Sequence, residues 1–87
     1  MGKKERFNRL FETTQIGDTR IEIIGTKRIA VEGCYGIQEY SPESVKVNMP
    51  KGTLMILGTE LEICLMMERG ITVEGKIAAI EFEGGAV

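Results

Sequence analysis

Leu54-Met55-Ile56-Leu57-Gly58 runs on into Leu61-Glu62-Ile63: an alternating apolar segment, a glycine, and a second alternating segment. The same phrase occurs at Ile21-Glu22-Ile23-Ile24-Gly25 into Arg28-Ile29-Ala30-Val31, and at Ile71-Thr72-Val73-Glu74-Gly75 into Ile77 through Phe82. A period of two sends successive side chains to opposite faces of a pleated strand, and glycine supplies the positive φ of a tight hairpin. The chain therefore reads as mainly β, each phrase as strand, glycine turn, strand.

Extending that reading from Arg20 onward predicts eight short strands, at about 20–24, 28–32, 36–40, 44–48, 53–57, 60–66, 70–74 and 77–83. Gly25-Thr26-Lys27 and Gly58-Thr59 read as tight hairpin connections, and Ser41-Pro42-Glu43-Ser44 and Pro50-Lys51-Gly52 as proline turns. Gly33 and Gly36 suggest a corner around Cys34-Tyr35, and the Ala78-Ala79 pair, which interrupts the alternation before Ile80, a β-bulge. Before the strands, Lys3 to Thr14 places Phe7, Leu10, Phe11 and Thr14 at helical spacing, ended by Gly17. The expected fold is a small antiparallel β-sandwich of about seven or eight strands with one N-terminal amphipathic helix. Residues 1–17 read as an arm and residues 18–87 as the β domain.

Strand polarity divides the side chains. Ile21, Ile23, Ile29, Val31, Val45, Val47, Ile71, Val73, Ile80 and Phe82 point inward, and Glu22, Arg28, Glu32, Lys46, Glu74 and Glu81 outward. In the segment 53–66, Leu54, Ile56, Leu61, Ile63 and Leu65 take one face while Met55, Leu57, Cys64 and Met66 line the face that should be wet. An apolar second face calls for a cover, either the helix carrying Phe7, Leu10 and Phe11 or a second copy of the chain. These seven residues, Phe7, Leu10, Phe11, Met55, Leu57, Cys64 and Met66, form the candidate interaction patch.

Composition narrows the chemistry. At 87 residues the chain is one domain, and no apolar run approaches the roughly 20 residues that span a bilayer. It has no histidine, the commonest general base and zinc nitrogen ligand, and no phosphate-cradling glycine motif. Neither a catalytic nor a cofactor site is expected. Cys34 and Cys64 read as reduced thiols of a cytoplasmic protein, Cys64 as a buried small hydrophobe within its strand and Cys34 as the more exposed. Glu60, Glu62, Glu81 and Glu83 would cluster for a hard cation if their strands paired, but a single aspartate, Asp18, is unlike a cation loop, so no metal is expected.

Residues 1–20 hold five Lys/Arg and three Asp/Glu, leaving six against ten for the remainder, that is +2 and −4 for a net −2. The acidic body argues against nucleic acid, for which a small barrel presenting Tyr35, Tyr40 and Phe82 near Lys27, Arg28 and Lys46 is the alternative reading. A small-ligand or metal-binding β module is the other alternative. Lys3, Lys4, Arg6 and Arg9 opposite the apolar helix face suit a weak contact of residues 3–14 with an anionic membrane surface.

One continuous stretch carries a family resemblance. It runs from Arg20-Ile21-Glu22-Ile23-Ile24-Gly25 through Val31-Glu32-Gly33-Cys34-Tyr35-Gly36-Ile37-Gln38-Glu39-Tyr40-Ser41 and Gly52-Thr53-Leu54-Met55-Ile56-Leu57-Gly58-Thr59-Glu60-Leu61-Glu62-Ile63 to Ile71-Thr72-Val73-Glu74-Gly75-Lys76-Ile77. Over residues 18–83 the chain resembles the YabP/YqfC family of sporulation proteins, its YqfC branch in particular, departing from the Gly-Ile-Leu-Glu-Tyr block at Gln38. The resemblance implies a protein of the sporulating cell of an endospore-forming bacterium, β-sandwich in type, not known as an enzyme, working through protein contacts with a membrane-protein partner. Homo-oligomerisation fits the same picture.

Overall fold

A computed structural model describes residues 18–84. Among them are six antiparallel strands: β1 (Thr19–Ile24), β2 (Arg28–Glu32), β3 (Gly36–Ser41), β4 (Ser44–Met49), β5 (Gly52–Met67) and β6 (Gly70–Gly84). They form one hydrogen-bonded sheet in the order β1-β2-β6-β5-β4-β3. The expected helix over 3–14, with Phe7, Leu10 and Phe11, lies outside the described residues.

Two corrections to the sequence reading have one cause. The predicted segments 53–57 and 60–66 are a single 16-residue strand, and 70–74 and 77–83 a single 15-residue strand. There is thus one sheet where a two-sheet sandwich was expected. β4 pairs only with residues 52–57 of β5, and β2 only with residues 70–74 of β6. The first half of β5 and the second half of β6 therefore belong with β3 and β4, while the opposite halves belong with β1 and β2. Fully buried Ile21, Ile29 and Val73 from one half join Val45, Leu54, Ile56 and Ile80 from the other in a single core. A sheet buries both sets together only by folding over itself, with long strands passing through the corner at bulges.

The bend is made by two of the glycines read as hairpin turns. Gly25 does turn a hairpin, with φ 62°, but Gly58 and Gly75 sit inside strands, nearly opposite one another. A Cβ on Gly58 would stand 2.0 Å from the Lys76 carbonyl oxygen, and one on Gly75 2.5 Å from that of Glu60. Here glycine permits close approach of two backbones. Register shifts flank the corner: Leu57 faces Ala79 and Gly58 faces Ile77, leaving Ala78 as the extra residue, as its sequence suggested. Residues 60 and 61 together oppose Gly75, and Glu60 takes φ 56°.

Backbone groups freed by the bend find partners in the hairpin turns. The N–H groups of Gly58 and Leu61 donate to the carbonyls of Glu43 and Pro42 at 3.1 and 2.8 Å. On the other side, Gly75 and Ile77 donate to Lys27 and Thr26 at 3.0 and 2.8 Å. Each turn thus docks on the long strand beside it, so the corner keeps its hydrogen bonds without a regular ladder. The Ser41 hydroxyl shapes the first of these turns by accepting from the Ser44 N–H at 3.1 Å.

All ten residues assigned inward are buried. Of those assigned outward, Glu81 is an exception at 4% exposed, and Leu65, assigned to the core face, is 52% exposed. Gln38, where the chain departs from the family block, is the extra residue of a bulge in β3 and is exposed, so the departure touches no core position.

Candidate functional site

A third irregularity in β5 creates the most distinctive surface. Ile63 faces Val73 and Leu65 faces Thr72, which leaves Cys64 as the extra residue. Parity shifts there and the register is regular again beyond it, yet Leu65, Met66 and Met67 are all exposed, at 52%, 59% and 57%. A run of large apolar side chains in water is the mark of a contact surface.

The surrounding residues belong to the same end of the fold. The Arg69 carbonyl accepts from the N–H groups of Gly33 and Cys34 at 2.7 and 3.3 Å, tying the β5–β6 turn to the β2–β3 connection. The Arg69 guanidinium lies 5.3 Å from the ring centroid of Tyr35, itself 62% exposed. The end thus combines three aliphatic or thioether side chains with an aromatic ring and a cation, the residue types enriched at protein interfaces.

The predicted patch is divided by the bend. Met55 and Leu57 are half-buried in the first half of β5, opposite Glu81 and Ala79. Cys64 and Met66 are exposed in the second half. Met67 was not singled out from sequence because periodicity cannot foresee a bulge. The signal available was the uninterrupted run Leu65-Met66-Met67 before Glu68.

The two thiols exchange roles relative to the sequence reading. Cys34 is buried in the core and Cys64, rotated outward by its bulge, is exposed. Arg28 Nε donates to Glu74 Oε2 at 2.8 Å, and the Arg28 terminal nitrogen closes the same ion pair. That partner holds the Glu74 carboxyl below its ordinary range, and the neighbouring Cys64 thiol acts in the same direction. A lowered carboxyl pKa contributes stability above the ordinary carboxylate range and loses it as pH falls through the lowered value. At so exposed a site the contribution is small. The Cys64 thiol donates to the Glu62 carbonyl at 3.7 Å, and the neighbouring Glu74 carboxylate, with the Glu62 charge adding to it, raises the thiol's pKa. Two consequences follow for native protein: a thiol reagent labels Cys64 alone and reaches Cys34 only on unfolding, and Glu74→Gln moves the pH midpoint of Cys64 alkylation downward.

The other sequence alternatives lose their geometry. Glu60 and Glu62 lie in one half of the sheet while Glu81 and Glu83 face Met55 and Thr53 in the other, so the four carboxylates do not converge. Among the described residues no group of three or more His, Cys, Asp or Glu side chains is placed to hold a metal ion. Phe82 is in the core, and Arg28 and Lys46 are ion-paired with Glu74 and Glu39, so the proposed base-stacking face is not assembled. Among the described residues no helix is long and apolar enough to cross a membrane.

Fold and surface together define a small, single-sheet antiparallel β domain with an apolar end. A family model described as the YabP family matches residues 16–87, and the chain belongs to that family. No curated protein and no solved structure matches the chain.

Proposed function

We propose that this protein is a non-enzymatic component of endospore formation that works through protein contacts made by the Leu65–Met67 end of β5, with a membrane protein of the sporulating cell as its partner. Membership of the YabP family suggests the sporulation setting. The observation that carries the mode of action is the exposure of three consecutive large apolar residues at one end of β5, whereas the other exposed large hydrophobics, Ile24, Tyr35 and Tyr40, are not consecutive in the chain. Tyr35 and Arg69 beside them supply a rigid ring and a charge suited to an interface rim.

Site-directed photo-crosslinking in sporulating cells tests the reading. A crosslinker at position 66 is expected to yield a defined adduct with a protein of the membrane fraction, and one at Lys51, an exposed turn of the opposite half, to yield none. Identical adducts from both positions, or none from position 66, overturn it.

A further inference from the structure

We propose that Met66 and Met67 form a reversible oxidation site that switches the end of β5 between an apolar and a polar surface. Four methionines lie among the described residues, and the fold sorts them. Met49 is 5% exposed and Met55 half-buried, whereas Met66 and Met67 are more than half exposed and adjacent. Beyond the bulge at Cys64 the two pair in regular register with Ile71 and Gly70 and so point to opposite faces, and both are exposed because the described residues cover neither face of this end. Met67 extends its terminal methyl across the β5–β6 turn, where its Cε lies 3.4 Å from the position a Gly70 Cβ would take.

The chemistry is oxygen transfer from a peroxide. The O–O bond breaks, one oxygen forms the sulfoxide S–O bond, and the other leaves as water or alcohol, so sulfur loses two electrons and the peroxide gains them. A methionine sulfoxide reductase reverses the step, two thiols giving a disulfide and the oxygen leaving as water. Each sulfoxide places a strongly polar acceptor where an apolar chain stood, and two of them neighbour Leu65 alone. The neighbouring Cys64 thiol is exposed and also reacts with peroxide through its thiolate, so the test removes it. The site exists whatever the protein binds; only its consequence for partner contact rests on the function proposed above.

The test uses the full chain carrying Cys64→Ser, treated with hydrogen peroxide, with peptide mass spectrometry over time and retention on a hydrophobic-interaction column. The expected result is addition of one oxygen to Met66 and to Met67 about tenfold or more faster than to Met49, with earlier elution that methionine sulfoxide reductases A and B together restore. The companion chain Met66→Leu/Met67→Leu keeps the apolar end, and its retention should not respond to peroxide. Equal oxidation rates at Met49 and Met66, or unchanged retention after both sulfoxides form, overturn the proposal. Photo-crosslinking from position 66 reads the partner contact separately, so either idea can fail alone.

Discussion

Gly58→Ala is expected to cost about 3 kcal/mol or more, equivalent to roughly 12–24 °C in melting temperature for a domain of this size. The added methyl meets the Lys76 carbonyl oxygen at 2.0 Å, and the obstacle is backbone, which cannot rotate away as a side chain would. Gly58 has no positive φ among the backbone angles, so the loss is steric alone. Gly75→Ala adds a conformational penalty at φ 144° to a contact of 2.5 Å with the Glu60 oxygen. Gly36→Ala separates the two effects: its φ is 136° but nothing lies within 4 Å, so it should cost only the backbone penalty of about 1–3 kcal/mol. Thermal denaturation of the three variants checks the order. If Gly58→Ala melts with the parent, the two long strands do not cross at that corner.

Ile56→Ala and Leu65→Ala should differ sharply, although the sequence reading, with a turn at Gly58-Thr59, assigns both residues to the core-facing side. Ile56 is fully buried, and truncating it removes packing on every side for about 2–5 kcal/mol. Leu65 is more than half exposed, and its loss should stay within about 0.5 kcal/mol. Urea unfolding with an unchanged slope is the measurement. Equal losses would mean that the strand runs straight through Cys64 without a bulge.

Much of the fold was legible because local periodicity and core burial agree. Ile21, Ile23, Ile29, Val31, Val45 and Val47 alternate cleanly in short strands, and each is buried where its parity places it. Parity fails where register shifts, and a shift is a property of two strands. Gly58 in sequence looks like Gly25, but its role depends on Lys76 and Ile77 lying across from it, which no local pattern records. Ala78 is the instructive exception, since two small residues in succession left a trace of the bulge.

The thiols failed for the same reason. Cys64 alternates with Ile63 and Leu65 in sequence, and its position as the extra residue at a register shift turns it to solvent. Cys34 sits in a glycine-flanked corner that resembles an exposed loop. Its N–H is nevertheless bonded to the Arg69 carbonyl and its side chain joins the core. The candidate surface was half legible for the same reason: Met66 and Cys64 were chosen from parity, whereas Leu65 and Met67 became visible only with the bulge in place.

The bend also explains how so small a domain presents an apolar end at all. Its two halves consume their inner faces in one core, and the docked turns at 26–27 and 42–43 cover the corner. What projects beyond β4 is the second half of β5, where Leu61 and Ile63 pack on the core and the last three residues, Leu65 to Met67, are apolar and exposed.

The most direct measurement is the yield of heat-resistant spores from cells whose only copy of the protein carries Leu65→Ser/Met66→Ser/Met67→Ser, with protein abundance matched to the parent by immunoblot. Because all three side chains are exposed, folding should survive while the contact is lost, and spore yield should fall by about tenfold or more. Undiminished spore yield at equal abundance would contradict the claim that this end of the sheet is the working surface.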